Sequence, residues 1–307
     1  MNNRDKYIFF SALILILLPI TISTLSTNQI SSTDWIYRHN EWINRYLRGD
    51  FTPVYEYPPL FHFLMLPFVY FDFPIIYFQI IFAILSTFGI LYYVKKMENE
   101  KAMILMAMLM ATSIAYIEFS SALMPQALDY FLFPLILIAY FRGKNLTVLT
   151  GITVIFFMHL TGIIFLGILL IHSLLAKRYK FMYAAVILML VFLPISYYYV
   201  FSPFSYQFIW DFQAQAQWES FYISPIYRFF VLSGFLTWIL LPFAGYKLIR
   251  QKFKFDEKLL LYVIWILGFL PLAIFNFGIW RAISYQIIPL SLFAATVISK
   301  ALNSDEK

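Results

Sequence analysis

The sequence predicts an all-α polytopic membrane protein with about ten transmembrane helices, an outer amphipathic juxtamembrane helix and a short re-entrant helix. Three observations carry that expectation. Apolar residues make up 62% of the 307 residues and charged residues only 12%, too oily a mixture for a water-soluble domain. Apolar runs of helical length recur from one end of the chain to the other. The cations stand in short clusters between those runs, so the formal charge of +6 reads as the positive-inside bias of a membrane protein and not as a nucleic-acid surface. No cysteine is present, which excludes disulfides, cysteine nucleophiles and thiolate metal sites. No polar stretch is long enough to bury a core of its own, so residues 1–307 read as a single integral membrane domain.

The elements follow in order. Arg4 and Lys6 precede an apolar run at 7–25. It is longer than a signal-peptide core and no small-x-small cleavage site follows, so it reads as an uncleaved first helix. Residues 26–57 form a first outer loop containing an amphipathic helix at 34–48. Further runs occupy 74–94, 102–118, 127–141, 146–158, 161–176, 181–201, 225–249, 258–275 and 282–300, with a second outer loop at 202–224.

The run at 58–72 opens on Pro58-Pro59 and is interrupted by Pro67. At a rise of 1.5 Å per residue it reaches about 22 Å, short of a hydrocarbon core of about 30 Å. Charge decides its role. If it does not cross, seventeen of the 22 cations fall on the inner side, leaving Arg38, Arg45, Arg48, Arg228 and Arg281 outside. If it crosses, every later loop changes side and the bias inverts. The positive-inside rule therefore makes 58–72 re-entrant, with ten crossings and both termini cytoplasmic.

Chemistry is concentrated outside. Asp34, Arg38, Glu41, Arg45 and Arg48 are spaced 4, 3, 4, 3, while Trp35, Ile36, Trp42, Ile43, Tyr46 and Leu47 fall on the other side of the same helix. Ser32 or Thr33 can cap its start and Gly49 ends it. The spacing predicts a helix lying on the outer membrane surface, oily face down. Asp34 has two readings: a carboxylate favoured by the helix dipole, or a general base held at the lipid boundary. Arg38 is in reach of a phosphate. Glu56 precedes Tyr57-Pro58-Pro59, a sequence that forces an extended approach and then starts a helix, so Glu56 sits at the mouth of the re-entrant segment. His62, His159, Glu118 and Asp129 fall at outer helix ends or turns, where each is either a packing or capping group or a ligand contact.

In its order of features the chain resembles the GT-C glycosyltransferases, multi-span enzymes that use polyprenyl-phosphate-linked sugars. That family includes oligosaccharyltransferase catalytic subunits, protein mannosyltransferases and lipid A aminoarabinose transferases. The resemblance rests on a first helix, an outer loop with acidic Asp34, the amphipathic 34–48 helix, YPPLFH at 57–62 and the polar turn EFSSALMPQALD at 118–129. It covers roughly residues 1–145; the rest matches as a string of apolar helices with His159 at an outer end.

The resemblance implies a membrane glycosyltransferase in the cell membrane with an extracytoplasmic active site. Asp34 would be the general base, and Arg281, Arg38 and His159 would meet the donor phosphate. Glu56, Tyr57, His62, Glu118 and Asp129 would contact sugar or acceptor, and the implied partners are a polyprenyl-phosphate sugar donor and membrane lipids. Two departures narrow it. Glu118 and Asp129 lack the Asp-x-Glu spacing of a metal pair, so a divalent metal is unsupported by motif and no metal ligand is assigned. No soluble acceptor-binding domain is visible, which points to lipid-linked glycans or related acceptors. A secondary transporter and a non-catalytic lipid-binding scaffold are the alternatives; the first predicts internal repeats, which the sequence does not display.

Overall fold

The computed structural model describes residues 3–27, 34–73, 75–120, 125–201, 233–250, 255–269 and 279–304. Among them there is no strand. The helices are α1 (Asn3–Thr27), α2 (Asp34–Leu47), α3 (Leu60–Tyr70), α4 (Ile75–Met97), α5 (Glu100–Ala111), α6 (Ile114–Ser120), α7 (Pro125–Phe141), α8 (Asn145–Met158), α9 (Thr161–Leu175), α10 (Tyr179–Phe201), α11 (Phe235–Arg250), α12 (Glu257–Gly268) and α13 (Ile279–Ser304). A 3-10 turn, Thr52–Tyr55, joins α2 to the Pro-Pro step before α3. The expected second outer loop, 202–224, lies outside the described residues, as do Arg228 and the proposed caps Ser32 and Thr33.

Among the described residues, four stretches are long and apolar enough to cross a membrane: Asn3–Ser23, Tyr77–Met97, Tyr179–Tyr199 and Tyr285–Asn303. Leu60–Tyr70, Pro125–Phe141, Asn145–Met158 and Thr161–Leu175 are apolar but shorter. At eleven residues α3 is too short to span, about 16 Å against a core of about 30 Å.

One expected run is broken. The apolar stretch 102–118 divides into α5 and α6 at Thr112-Ser113. The Thr112 hydroxyl donates back to the carbonyls of Met108 (3.0 Å) and Leu109 (3.2 Å), and Ser113 Oγ accepts from the Tyr116 backbone N–H (3.2 Å), starting a new helix. Local hydroxyl bonds have taken the place of the helical ladder.

The helices form a bundle with one continuous apolar core. α4 packs along α7, α1 along α5, α11 along α13 and α9 along α10. Aromatic contacts fill the middle: Phe133 stacks on Phe165 with centroids 3.8 Å apart, and Trp265 meets Phe133 edge-on at 4.7 Å.

The two ends of the bundle differ in chemistry. At one end, Arg4 pairs with Glu100 (3.3 Å), Lys258 with Glu98 (3.0 Å), Lys300 with Asp256 (2.6 Å) and Arg178 with Glu257 (2.7 Å). These residues come from both ends of the sequence and from its middle, yet they meet in one layer, as alternating helix directions require. The more exposed of these pairs add little stability, whereas Glu98 of the Lys258 pair is buried. Their significance is positional, because they gather the groups expected on the inner side. The opposite end carries α2, α3 and the polar cluster described below.

Close helix approach makes a testable demand. A Cβ on Gly89 of α4 would lie 2.7 Å from the Phe131 carbonyl oxygen and 2.8 Å from its Cα on α7. Gly89→Val is expected to cost about 1–3 kcal/mol by overpacking, read as a lower thermal midpoint of the detergent-purified protein. Gly245→Ala, inside α11 with open space around the new methyl, is expected to leave the midpoint no lower and to raise it by the gain in helix propensity.

Candidate functional site

The site is built from two buried polar clusters joined by one tyrosine. The first begins with α2. Its C-terminus closes as the spacing predicts: Gly49 adopts φ +80°, its N–H bonds the Tyr46 carbonyl (3.0 Å) and the Asp50 N–H bonds the Arg45 carbonyl (2.9 Å). A left-handed residue with that pair of bonds is the usual way a helix stops at glycine. Trp42, Ile43 and Tyr46 are buried, as the amphipathic pattern requires. Their cover differs from the expectation of lipid. The face packs on α3 and on Tyr57, so protein takes the place of membrane beneath α2.

His39 lies on that same buried face and was not singled out from the sequence. Its Nδ1 stands 2.8 Å from Nε2 of His62 on α3. The pair is enclosed by Trp42, Tyr57 and Phe61, each with its ring centroid 5.3–5.4 Å from its neighbour. A histidine within an aromatic stripe at helical spacing was the available signal. Burial pushes the His62 imidazole from the usual 6.5 down to about 3.

Glu56 fastens this arrangement. Trp42 Nε1 donates to its Oε2 (2.8 Å), and Arg45 donates to its Oε1 (3.2 Å). Both carboxylate oxygens are thus engaged by protein, and Glu56 acts as a brace between α2 and the Pro-Pro step. Arg45, expected on a solvated face, reaches forward to Asp50 (2.8 Å) as well as to Glu56. Bonds from the Thr52 side chain and backbone and from Arg45 hold the Asp50 carboxyl down at about 2.

The second cluster surrounds Asp129 near the start of α7. Asp129 is wholly buried. Its Oδ2 accepts from the Thr161 hydroxyl (2.7 Å) and from the Tyr285 hydroxyl (2.7 Å), with His159 Nδ1 3.4 Å away. His159 caps the end of α8 in an extended conformation; its Nδ1 lies 2.6 Å from Thr161 Oγ1 and its Nε2 3.3 Å from the Gln126 amide nitrogen. Tyr285 is fixed by packing: it stacks on Phe269 at 4.6 Å and meets Tyr130 edge-on at 5.7 Å. Tyr57 bridges the clusters, 5.7 Å from the His62 ring and 6.1 Å from the His159 ring.

This region carries unpaired buried polar atoms: among the described residues, Tyr46 OH, His62 Nδ1, Gln126 Oε1 and Asp129 Oδ1 have no hydrogen-bond partner. Such atoms are rare in folded proteins and mark places that water or a ligand completes. A carboxylate inside an apolar bundle is costly without donors, and a buried one with an unfilled oxygen makes this end the candidate site.

Of the residues expected from the sequence, Glu56, Tyr57, His62, Asp129 and His159 converge here. Asp34, Arg38, Glu118 and Arg281 have helical backbones in α2, α2, α6 and α13, and their side chains lie outside the described part of the structure. Gln126, Thr161 and Tyr285 were missed, because nothing local to them announces a partner far away in the chain. Among the described residues, no group of three His, Asp or Glu is placed to hold a metal ion.

The buried histidine pair predicts a pH response. Freed from its contact with α2, His62 takes a proton as pH falls through about 6.5; docked, it does not until about 3. The undocked form therefore binds more protons across that window, and acidification favours it. Trp42 fluorescence is expected to report loosening of α2 as pH falls below about 6.5, and His62→Phe is expected to remove the dependence. Set against family models, curated proteins and solved structures, the chain matches none.

Proposed function

We propose that the chain is a membrane glycosyltransferase of the GT-C type. It moves a sugar from a polyprenyl-phosphate donor to a lipid-linked glycan or other acceptor on the extracytoplasmic face. In this reading the chain crosses the membrane ten times, both termini are cytoplasmic, and α3 is re-entrant. The observation that carries it is the chemistry of one bundle end: α2 clasped on α3 beside a buried Asp129–His159–Tyr285 cluster in which Asp129 Oδ1 and the neighbouring Gln126 Oε1 are unfilled. The cation-rich pairs lie at the other end, which supports a cytoplasmic assignment for that layer.

The proposed reaction is a single displacement at the anomeric carbon. Asp34 takes the proton of the acceptor hydroxyl as its oxygen attacks. The bond from anomeric carbon to phosphate oxygen breaks, and its electron pair leaves with the polyprenyl phosphate. Arg38 and Arg281 meet the charge that develops there. His159, with both ring nitrogens engaged inside the cluster, serves by orienting Thr161 and Gln126. The geometry corresponds to that of an inverting glycosidase with an alcohol in place of water.

Asp34→Asn is expected to lower sugar transfer at least about 100-fold while expression and donor binding persist. Transfer from a radiolabelled polyprenyl-phosphate sugar is the assay, and undiminished transfer by the variant refutes the assigned role. The buried Asp129 also suits a proton-coupled secondary transporter; uptake by proteoliposomes with no transfer activity would identify one.

The topology has its own check. Because the chain has no cysteine, single cysteines at 34 and 96 are expected to be labelled from opposite faces of intact cells. Labelling from the same face ends the ten-crossing assignment.

A further inference from the structure

The direction of each hydrogen in the Asp129 cluster follows from its chemistry. The single Thr161 hydroxyl hydrogen goes to Asp129 Oδ2 at 2.7 Å, so Thr161 Oγ1 accepts from His159 Nδ1–H at 2.6 Å. With that nitrogen protonated, Nε2 of the neutral ring is an acceptor, and the Gln126 amide nitrogen donates to it at 3.3 Å. The orientation of the amide is thereby set. Gln126 Oε1 and Asp129 Oδ1 are both left as buried acceptors with nothing to accept from. They sit three residues apart on α7 and so share one helix face.

We infer that Gln126 and Asp129 form a subsite for a vicinal hydroxyl pair of a sugar, each oxygen accepting one hydroxyl hydrogen bond. A phosphate is the wrong ligand for this spot, since it presents acceptors to acceptors. A diol supplies two donors at the spacing of adjacent ring carbons. The ligand class rests on the glycosyltransferase reading; the need for donors does not. The subsite also separates labour: His159 turns its one hydrogen inward, so the donor phosphate is bound elsewhere and the sugar ring is read here.

The test uses the full chain in lipid nanodiscs. The probes are citronellyl phosphate, its mannosyl and glucosyl esters, and a panel of octyl glycosides with octanol as the sugarless counterpart. The wild-type protein is expected to bind at least one sugar-bearing probe about tenfold or more tightly than its sugarless counterpart. Gln126→Leu and Asp129→Asn are each expected to erase most of that preference while affinity for the sugarless probe is unchanged. Asp129→Asn also alters the acceptor for Thr161 and Tyr285, so Gln126→Leu, which leaves both bonds intact, is the deciding variant. Full retention of the preference by Gln126→Leu overturns the subsite, and so does a wild-type protein that prefers no sugar-bearing probe. Sodium binding at Asp129 without sugar preference overturns it as well. A Gln126-dependent preference among octyl glycosides, with no binding of citronellyl phosphate or its esters, supports the subsite and removes the polyprenyl-phosphate reading.

Discussion

A carboxylate withdrawn from water inside a helical bundle has to be met by donors, and Asp129 imposes that condition on four parts of the chain. α7 supplies the acid, α9 supplies Thr161, α13 supplies Tyr285, and the turn between α8 and α9 supplies His159. A shift of one residue in α9 or α13 would rotate its donor away and cost Oδ2 one of its two bonds, about 1.5–3 kcal/mol for a charged acceptor. Apolar packing agrees with the polar constraint. The ring of Tyr285 is wedged between Phe269, Tyr130 and Phe165 with its hydroxyl delivered to the acid. Neither the hydrogen bonds nor the ring contacts alone would fix the register of these helices so narrowly.

The junction of α2 with α3 follows a related logic in a drier setting. Two imidazoles share one hydrogen inside an aromatic enclosure. Glu56 then ties the tryptophan and the arginine of α2 to the turn that precedes α3. An element that by composition belongs on a lipid surface is instead clamped to the protein. A reacting group at the first residue of α2 would thus be carried on a rigid lever and not on a loop.

Much of this was legible in the sequence because it depends on neighbours. The helices fall where the apolar runs do, α3 is as short as its prolines and length imply, and the 4, 3, 4, 3 charge spacing marks α2 with its glycine stop. The division at Thr112-Ser113 escaped, since mean hydropathy does not register two hydroxyls bonding to the backbone. Glu56 was placed at the mouth of the re-entrant segment, but its bonds to Trp42 and Arg45 reach across a turn and leave no local sign. Asp129 and His159 were visible as polar groups at helix ends. Their connection through Thr161 and Tyr285 was not, because residues 129 and 285 meet only once the bundle has formed. Pairings that distant are written in three dimensions and leave no periodic trace in one.

α10 adds a last consequence. Only 17% of its apolar window is covered by protein, against 83% for α13. Near its far end the Tyr199 hydroxyl donates to the Val54 carbonyl (3.0 Å), in the turn that positions Glu56 and α2. In a bilayer, a helix this exposed can meet a mismatch in length by tilting. Any such tilt of α10 would be passed by the Tyr199 bond to the turn between α2 and α3.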